Sequence, residues 1–365
     1  MNVAGIYIDS LSIHSIWSVA GENRFGSAHE NFKSRDMILS LDDKVSPLQG
    51  HSFSRQGSHK VCSNFLPWIG SNKTWGLGKS ETIADHALEF YLVELFTQIP
   101  HEAKVAFSLP LYLTPKQSRR IEQIASKIGM QVQGSLTSAS ALAQGAIHKS
   151  QTSSNCLAVE LDGFGLSLSN VQVADGVPHL LAGKVFPEFG LHRWVLRLAD
   201  FIAEKAIFHC RKDPRVKPDT DQALFLQAQK LLSSIGTKPS FKVMLEEEFW
   251  NQEFVITQAD LKRCFSKMFA ELKLQLNYFI SHKIITTRDD IHLALAHNLG
   301  GVPGLTSLLV QSISGASYHT HSPEDLFHQS FICSNAMTMA GQWWLDSVGA
   351  SSVVQFRNPI GASKV

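Results

Sequence analysis

The stretch CLAVELDGFGLSLSNVQVADGVPHLLAGKV, residues 156–185, decides the fold. Apolar residues alternate with small or polar ones along it. Two short runs, DGFG and ADGV, interrupt this alternation with the residue types that tight turns favour. The pattern predicts strand, turn, strand, turn and strand, which is a β-meander with Asp162 and Gly163 at its first turn.

The beginning of the chain has the same plan. Residues 3–8, VAGIYI, are predicted to form a strand that ends at Asp9. Residues 13–20, IHSIWSVA, are predicted to form its partner after a tight Asp-Ser-Leu-Ser turn. After each of the two segments, predicted strands alternate with predicted helices. We therefore expect an α/β fold that contains an internal duplication.

Hydrophobic periodicity and capping residues locate the remaining elements. Thr114 and Thr257 are expected to cap helices, with Pro115 at the first position of the first of these helices. Residues 21–80 have little pattern and are read as loops with a few short strands. Helices are predicted over 81–98, 115–128, 138–148, 190–208, 219–235, 257–282 and 304–314. Strands are predicted over 104–109, 130–136 and 291–297, and a β segment over 241–257.

Charge and hydropathy exclude two classes of function. The chain has 365 residues, with 33 Lys and Arg against 32 Asp and Glu, so its net charge is only +1. Binding of nucleic acid through a broad basic face is therefore not expected. No apolar run approaches the ~20 residues that a membrane helix needs, so no membrane association is expected either.

The first residues and the cysteines indicate a cytoplasmic protein. The first 21 residues lack a basic region, and Asp9 and His14 interrupt their apolar stretch, which is unlike a signal peptide. The five cysteines are scattered and never form a CxxC pair. This usage is typical of reduced thiols, not of a disulfide framework or a zinc knuckle.

Several runs, in order, resemble the nucleotide-binding domain of DnaK-type heat-shock (70-kDa) chaperones, a branch of the actin-like ATPase superfamily. The resemblance covers about residues 3–20 and 81–340. The matching runs, besides 159–177 and FGLHRWVLRL at 189–198, are LPLYLTPKQSRRIEQIASKIGMQV (109–132), SLTSASALAQGA (135–146), QAQKLLSSIGTKPSFKVMLEEEFWNQEFVITQADL (227–261), LALAHNLGGVPGL (293–305) and SPEDLFHQSF (322–331).

The resemblance implies an actin-like ATPase fold, in which two duplicated ribonuclease-H-like lobes flank a central cleft. It implies an N-terminal lobe over residues 1–150, in which 21–80 form a reduced subdomain. It implies a C-terminal lobe over 151–345, with a helical and β insertion at about 190–282. Residues 346–365 would form a C-terminal tail.

In the family, two β-turns wrap the phosphates of ATP, and carboxylates at strand ends hold Mg²⁺. Carried over by position, the carboxylates are Asp9 and Glu160, which are the candidate catalytic and metal-binding residues. The candidate phosphate-binding residues of the two turns are Ser10, Ser12, Asp162, Gly163 and Gly165. The turns depart from the family pattern, because Leu11 and Phe164 replace glycines and Asp162 adds a negative charge beside the phosphates.

The adenosine side departs from the family as well. Its charged helix motif falls on residues 226–230, where only Lys230 is charged, and Ser233 is kept. Its Gly-Gly turn falls on residues 297–298, while Gly300 and Gly301 lie just beyond and could substitute. The acidic residue of the last motif becomes Glu324, and the glutamate before Pro-Thr falls on Leu136. Lys60, Lys73 and Lys79 are equally open candidates for the catalytic lysine.

Residues that form the fold match the family better than residues that bind and hydrolyse ATP, which favours a pseudo-ATPase. We expect a stand-alone protein without the chaperones' substrate-binding domain, acting as a protein-binding scaffold or regulatory subunit. ATP or ADP with Mg²⁺ and no cofactor at all both remain open. The alternative is a working ATPase that uses lobe closure as a switch.

Two short motifs stand apart from the resemblance. Trp343 and Trp344 are candidates for docking a protein partner, against packing on their own domain. His319 and His321 could bind a metal, but no cysteine or third histidine follows at a characteristic spacing, so a surface loop is the expectation there. The oligomeric state is left open.

Overall fold

The protein, seen in a computed structural model, has mixed α/β architecture, and this confirms the predicted class. The structure describes residues 3–18, 32–41, 45–48, 61–76, 81–147, 154–174, 177–234, 240–247, 250–283, 291–313 and 317–321. Within these ranges the seven α-helices are α1 (Ala84–Phe96), α2 (Pro115–Lys127), α3 (Ser138–Ile147), α4 (Leu191–Cys210), α5 (Pro218–Ser234), α6 (Gln258–Lys283) and α7 (Leu305–Ser312).

Seventeen strands accompany these helices in the described residues. Those of the first half are β1 (Val3–Ile8), β2 (Ser12–Ser18), β3 (Phe32–Asp36), β4 (Ile38–Ser40), β5 (Ser46–Pro47), β6 (Val61–Ser63), β7 (Thr74–Trp75), β8 (Thr82–Ile83), β9 (Lys104–Leu109) and β10 (Gln131–Thr137). Those of the second half are β11 (Ser154–Leu161), β12 (Leu166–Ala174), β13 (Val177–Phe186), β14 (Ser240–Glu247), β15 (Trp250–Thr257), β16 (Ile291–Ala296) and β17 (Ser317–His321).

Two five-stranded sheets share one strand order. The first runs β10-β9-β1-β2-β3 and the second runs β17-β16-β11-β12-β13. In each sheet three antiparallel strands form a meander, and two further strands lie parallel to its first strand. The first turn of each meander therefore lies at the same edge of its sheet as the carboxyl ends of the parallel strands.

Local sequence explains where individual helices begin and end. Thr114 caps α2 through a capping box with Gln117, and Pro115 takes the first helical position, as expected. Helix α1 begins at Ala84, later than predicted, because Thr82 and Ile83 pair with β7.

Three buried apolar clusters hold the sheets and helices together. One fills the space between the first sheet and helices α1 and α2. A second lies between the second sheet and helices α4, α5 and α6, and a third packs α3 against β11, β12 and β16. Along the described segments, no helix is both long and apolar enough to cross a membrane.

The expectation of a surface loop at His319 and His321 is wrong. Residues 317–321 form strand β17, which pairs in parallel with β16 at the edge of the second sheet. Pairing with a strand distant in the chain brings in a neighbour that the local sequence does not show.

Candidate functional site

The first hairpin turn is built around the carboxylate of Asp9, which follows β1. Its Oδ1 accepts hydrogen bonds from the backbone amides of Leu11 and Ser12, each at 2.7 Å, and from the Ser12 hydroxyl at 3.2 Å. Short aspartate side chains commonly close turns in this way, by standing in for a backbone acceptor. The turn amides of this hairpin thus point at a side chain of their own loop.

The second hairpin turn repeats this arrangement around Asp162, between β11 and β12. Its Oδ1 accepts hydrogen bonds from the backbone amides of Phe164 and Gly165, each at 2.9 Å. Both turns lie at the carboxyl end of the first strand of their meander. In both, an aspartate carboxyl oxygen accepts hydrogen bonds from two backbone amides of the same turn.

The two turns touch each other. The backbone amide of Ser10 donates to Oδ2 of Asp162 at 3.1 Å, and the amide of Phe164 donates to the Ser10 hydroxyl at 3.0 Å. Tyr112 adds a hydrogen bond from its hydroxyl to Oδ2 of Asp162 at 2.7 Å. The carboxylate of Asp162 therefore lies between the two turns and accepts hydrogen bonds from both.

Apolar side chains are exchanged across the same junction. Leu11, on the first turn, belongs to the core of the second sheet. Phe164, on the second turn, packs against the core of the first sheet, with its ring centroid 4.7 Å from that of Tyr112. Each of these two residues thus packs against the core of the opposite half of the protein.

Two glycines allow the close approach of the chain at this junction. A Cβ on Gly190 would lie 2.4 Å from the carbonyl oxygen of Phe164, which is too close for any side chain. A Cβ on Gly183 would lie 2.6 Å from Leu111, a residue of the first half of the chain. Gly190 requires glycine because backbone atoms pack directly against it, whereas the end of the Leu111 side chain can shift away from Gly183.

Three buried carboxyl groups lie near one another at the turns: Asp9, Glu160 and Asp162. Burial raises the pKa of Glu160 to about 8, and the charges of Asp162 and Asp9 add to the rise, while a hydrogen bond from Ser138 opposes it. Burial and the charge of Asp162 also raise the pKa of Asp9 above its usual range. Burial raises the pKa of Asp162 despite its donors, so the junction favours protonated carboxyl groups.

Sequence reasoning did not select two buried residues of the junction as site residues. Tyr112 lies just after β9, which pairs in parallel with β1, so the carboxyl ends of the two strands lie at the same edge of the sheet. This pairing was the signal that could have placed Tyr112 beside Asp9. His14 lies 2.5 Å from the Ser12 hydroxyl through its Nε2. Residues two apart on a strand lie on the same face, so the spacing of Ser12 and His14 could have placed their side chains together.

The phosphates of a nucleotide do not fit this arrangement. In the resemblance, turn amides and small residues leave room for an anion, whereas here the amides of both turns donate to the carboxylates of Asp9 and Asp162. Leu11 and Phe164 fill the space beside them. Among the described residues, no group of three or more His, Cys, Asp or Glu is placed to hold a metal ion.

The structure brings together only part of the predicted site. Asp9, Ser10, Ser12 and Asp162 meet at the junction, with Gly163 and Gly165 in the second turn and Glu160 at the end of β11. Gly300 and Gly301 lie in a short 3-10 turn after β16 with open space beside them, and Lys230 and the backbone of Ser233 lie on α5.

The other predicted site residues fall elsewhere. Glu324, Trp343 and Trp344 lie outside the described residues, as do Lys60 and Lys79. Lys73 lies with its Nζ 3.8 Å from the ring centroid of Trp68 and 5.0 Å from that of Trp75, a cation–π arrangement within its own loop.

No model of a protein family matches the chain, and no curated protein matches it.

Proposed function

We propose that this chain is a DnaK-like, actin-fold protein that works without nucleotide, as a protein-binding scaffold or regulatory subunit. The shared strand order of the two sheets supports the fold, since a meander followed by two parallel strands is repeated in each half. The sequence resemblance, in the same order along the chain, points to the same two-lobed body.

One observation supports the proposal that the protein does not bind nucleotide. The amide of Ser10 and the hydroxyl of Tyr112 both donate to Asp162, where a working enzyme of this kind would need donors free for phosphate. A bound phosphate would have to displace the Asp162 side chain from these donors. The site is thus filled by the protein's own carboxyl group.

The exchanged side chains support a fixed body. Closure in an ATP-driven switch requires that two lobes separate and rejoin. Here separation would expose Leu11, which is 8% exposed, and Phe164, and would break the hydrogen bonds to Asp162. A body that holds one shape is suited to presenting a surface to another protein.

Several large apolar side chains on the surface support a protein partner. On α6, Leu274 is 69% exposed and Tyr278 is 55% exposed, one helical turn apart. Phe208 and Val216, near the end of α4, are exposed to a similar extent. Of these, Leu274 and Tyr278 lie together on one face of α6 and offer an apolar contact to another protein. The described cysteines are free, which supports a reduced compartment such as the cytoplasm.

Thermal unfolding with Mg-ATP and with Mg-ADP tests the loss of nucleotide binding. We expect no change in Tm at millimolar nucleotide, with MgCl₂ alone as the control. A ligand at 100 times its Kd would add ~2.7 kcal/mol of stability, which is easily measured as a rise in Tm. A rise of several degrees with either nucleotide would contradict the proposal.

The alternative is a working ATPase, and the Gly300-Gly301 turn favours it. Both glycines have open space beside them, and α5, which carries Lys230, packs against this turn. Release of phosphate from ATP by the wild-type protein, lost in Asp9→Asn, would establish this alternative. Hydrolysis at equal rates in the wild type and Asp9→Asn would indicate a contaminating enzyme.

A further inference from the structure

Two histidines from distant parts of the chain face each other at the edge of the second sheet. His292 lies on β16 and His319 on β17, and the parallel register pairs His292 with Ser317 and Ala294 with His319. The two imidazole rings have centroids 6.1 Å apart and planes inclined by 29°. They lie 27 residues apart in sequence, so the pairing arises from the fold.

A third side chain orients one of these rings. The Ser317 hydroxyl lies 2.8 Å from Nδ1 of His292. When Nδ1 carries the proton and donates to Ser317, the lone pair of Nε2 is available to a ligand. Histidines that bind metals usually have their other ring nitrogen hydrogen-bonded in this way, which fixes both the tautomer and the ring plane.

The position of the pair suits an incoming ion. β17 is the edge strand of its sheet, and His319 is exposed while His292 is half-buried. An ion from solvent therefore reaches this pair at the open edge of the sheet.

We propose that His292 and His319 form a two-histidine binding site for a divalent transition-metal ion of the Zn²⁺, Ni²⁺ and Cu²⁺ group. Imidazole nitrogens suit these ions, whereas Mg²⁺ and Ca²⁺ require oxygen ligands. Imidazole binds a metal through a lone pair in its ring plane, so the exposed His319 side chain has to turn until its lone pair and that of His292 point at one ion, at about 2.0–2.1 Å from each nitrogen. Water completes the coordination on the solvent side. This site is independent of the turns and of any nucleotide.

Calorimetric titration of the full chain with ZnCl₂ and NiCl₂ tests the site. The wild type is expected to bind one ion more tightly than the weak background of its other histidines. His292→Asn and His319→Ala are each expected to lower the affinity for that ion at least tenfold. The matched control is His282→Ala, because His282 is also an exposed histidine beside an aromatic ring, that of Tyr278. It should leave the affinity unchanged.

The outcomes separate the proposal from adventitious binding. Unchanged affinity in both His292→Asn and His319→Ala would overturn it, as would an equal loss in His282→Ala. Because His319 is exposed, its alanine variant should unfold at the wild-type temperature, and this measurement separates a lost ligand from a lost fold. MgCl₂ should give no binding heat that depends on His292 or His319.

Ser317 is a positioning residue in this site, and it has its own test. Ser317→Ala removes the hydroxyl that orients His292 and should weaken Zn²⁺ binding by roughly tenfold, the lower end of the range for such outer partners. Ser317→Thr keeps a hydroxyl at the same place and should restore the affinity. An equal loss in both variants would contradict the orienting role.

Discussion

The backbone amide of Ser10 donates a hydrogen bond to Oδ2 of Asp162, 152 positions later in the chain, at 3.1 Å. This bond joins the first turn of one meander to the first turn of the other. Because the Ser10 hydroxyl also accepts a hydrogen bond from the amide of Phe164, the two turns are joined reciprocally. The contact places a side chain of the second turn among the backbone donors of the first.

Asp162→Ala should destabilise the protein strongly. The substitution leaves the donors of Ser10, Tyr112 and Gly165 without their acceptor, and each buried donor left unsatisfied costs ~1–3 kcal/mol. Relaxation and water entry reduce the total, so we expect a loss of about 3 kcal/mol in the free energy of unfolding, measured in urea. The control Glu102→Ala, at an exposed acidic residue, should change it by less than ~0.5 kcal/mol. A loss as small as that of the control would show that Asp162 does not hold the turns together.

Leu11→Ala should weaken the protein through packing alone. Leu11 is 8% exposed and contacts the core of the second sheet, although it belongs to the first turn. Truncation of a buried leucine usually costs ~2–5 kcal/mol, and we expect a value near the lower limit because the site lies at the border of the core. Leu274→Ala is the matched control, since Leu274 is 69% exposed on α6. Equal urea midpoints for the two variants would contradict the exchange of side chains across the junction.

The sequence predicts local structure well and the junction poorly. The alternation over 156–185 and the caps at Thr114 and Thr257 locate strands and helices to within a few residues, because these signals act over one or two turns of chain. Sequence also identifies both turn aspartates. It does not predict, however, that the amide of Ser10 donates a hydrogen bond to Asp162. The docking of two turns that are 152 residues apart depends on how the halves pack, which no local pattern encodes.

Stability should fall as the pH rises from about 5 to about 9. The folded-state pKa of Glu160 is raised to about 8 by burial, and that of Asp9 is raised as well. In the unfolded chain both groups ionise near pH 4. Between these values the folded state binds more protons than the unfolded state, so the free energy of unfolding decreases as the pH rises.

Glu160→Gln isolates this contribution. The amide stays neutral at every pH, so Tm should depend less on pH between 5 and 9 in this variant than in the wild type. Glu102→Gln, at an exposed position, should retain the wild-type dependence. If Glu160→Gln and the wild type show the same slope of Tm against pH, the carboxyl group of Glu160 is ionised at neutral pH in the folded protein.

Tyr112→Phe tests the part of the junction that the motifs missed. The change keeps the ring that lies beside Phe164 and removes only the hydroxyl that donates to Asp162 at 2.7 Å. A hydrogen bond to a charged acceptor contributes ~1.5–3 kcal/mol, and the raised pKa of Asp162 places this bond at the lower end. A double-mutant cycle with Asp162→Asn should give a coupling energy of at least ~0.5 kcal/mol, because the effects of substitutions at two hydrogen-bonded residues on the free energy of unfolding do not add. The pair Tyr112→Phe and Glu102→Ala should add without coupling, and additivity in both cycles would mean that the tyrosine acts on the junction through its ring alone.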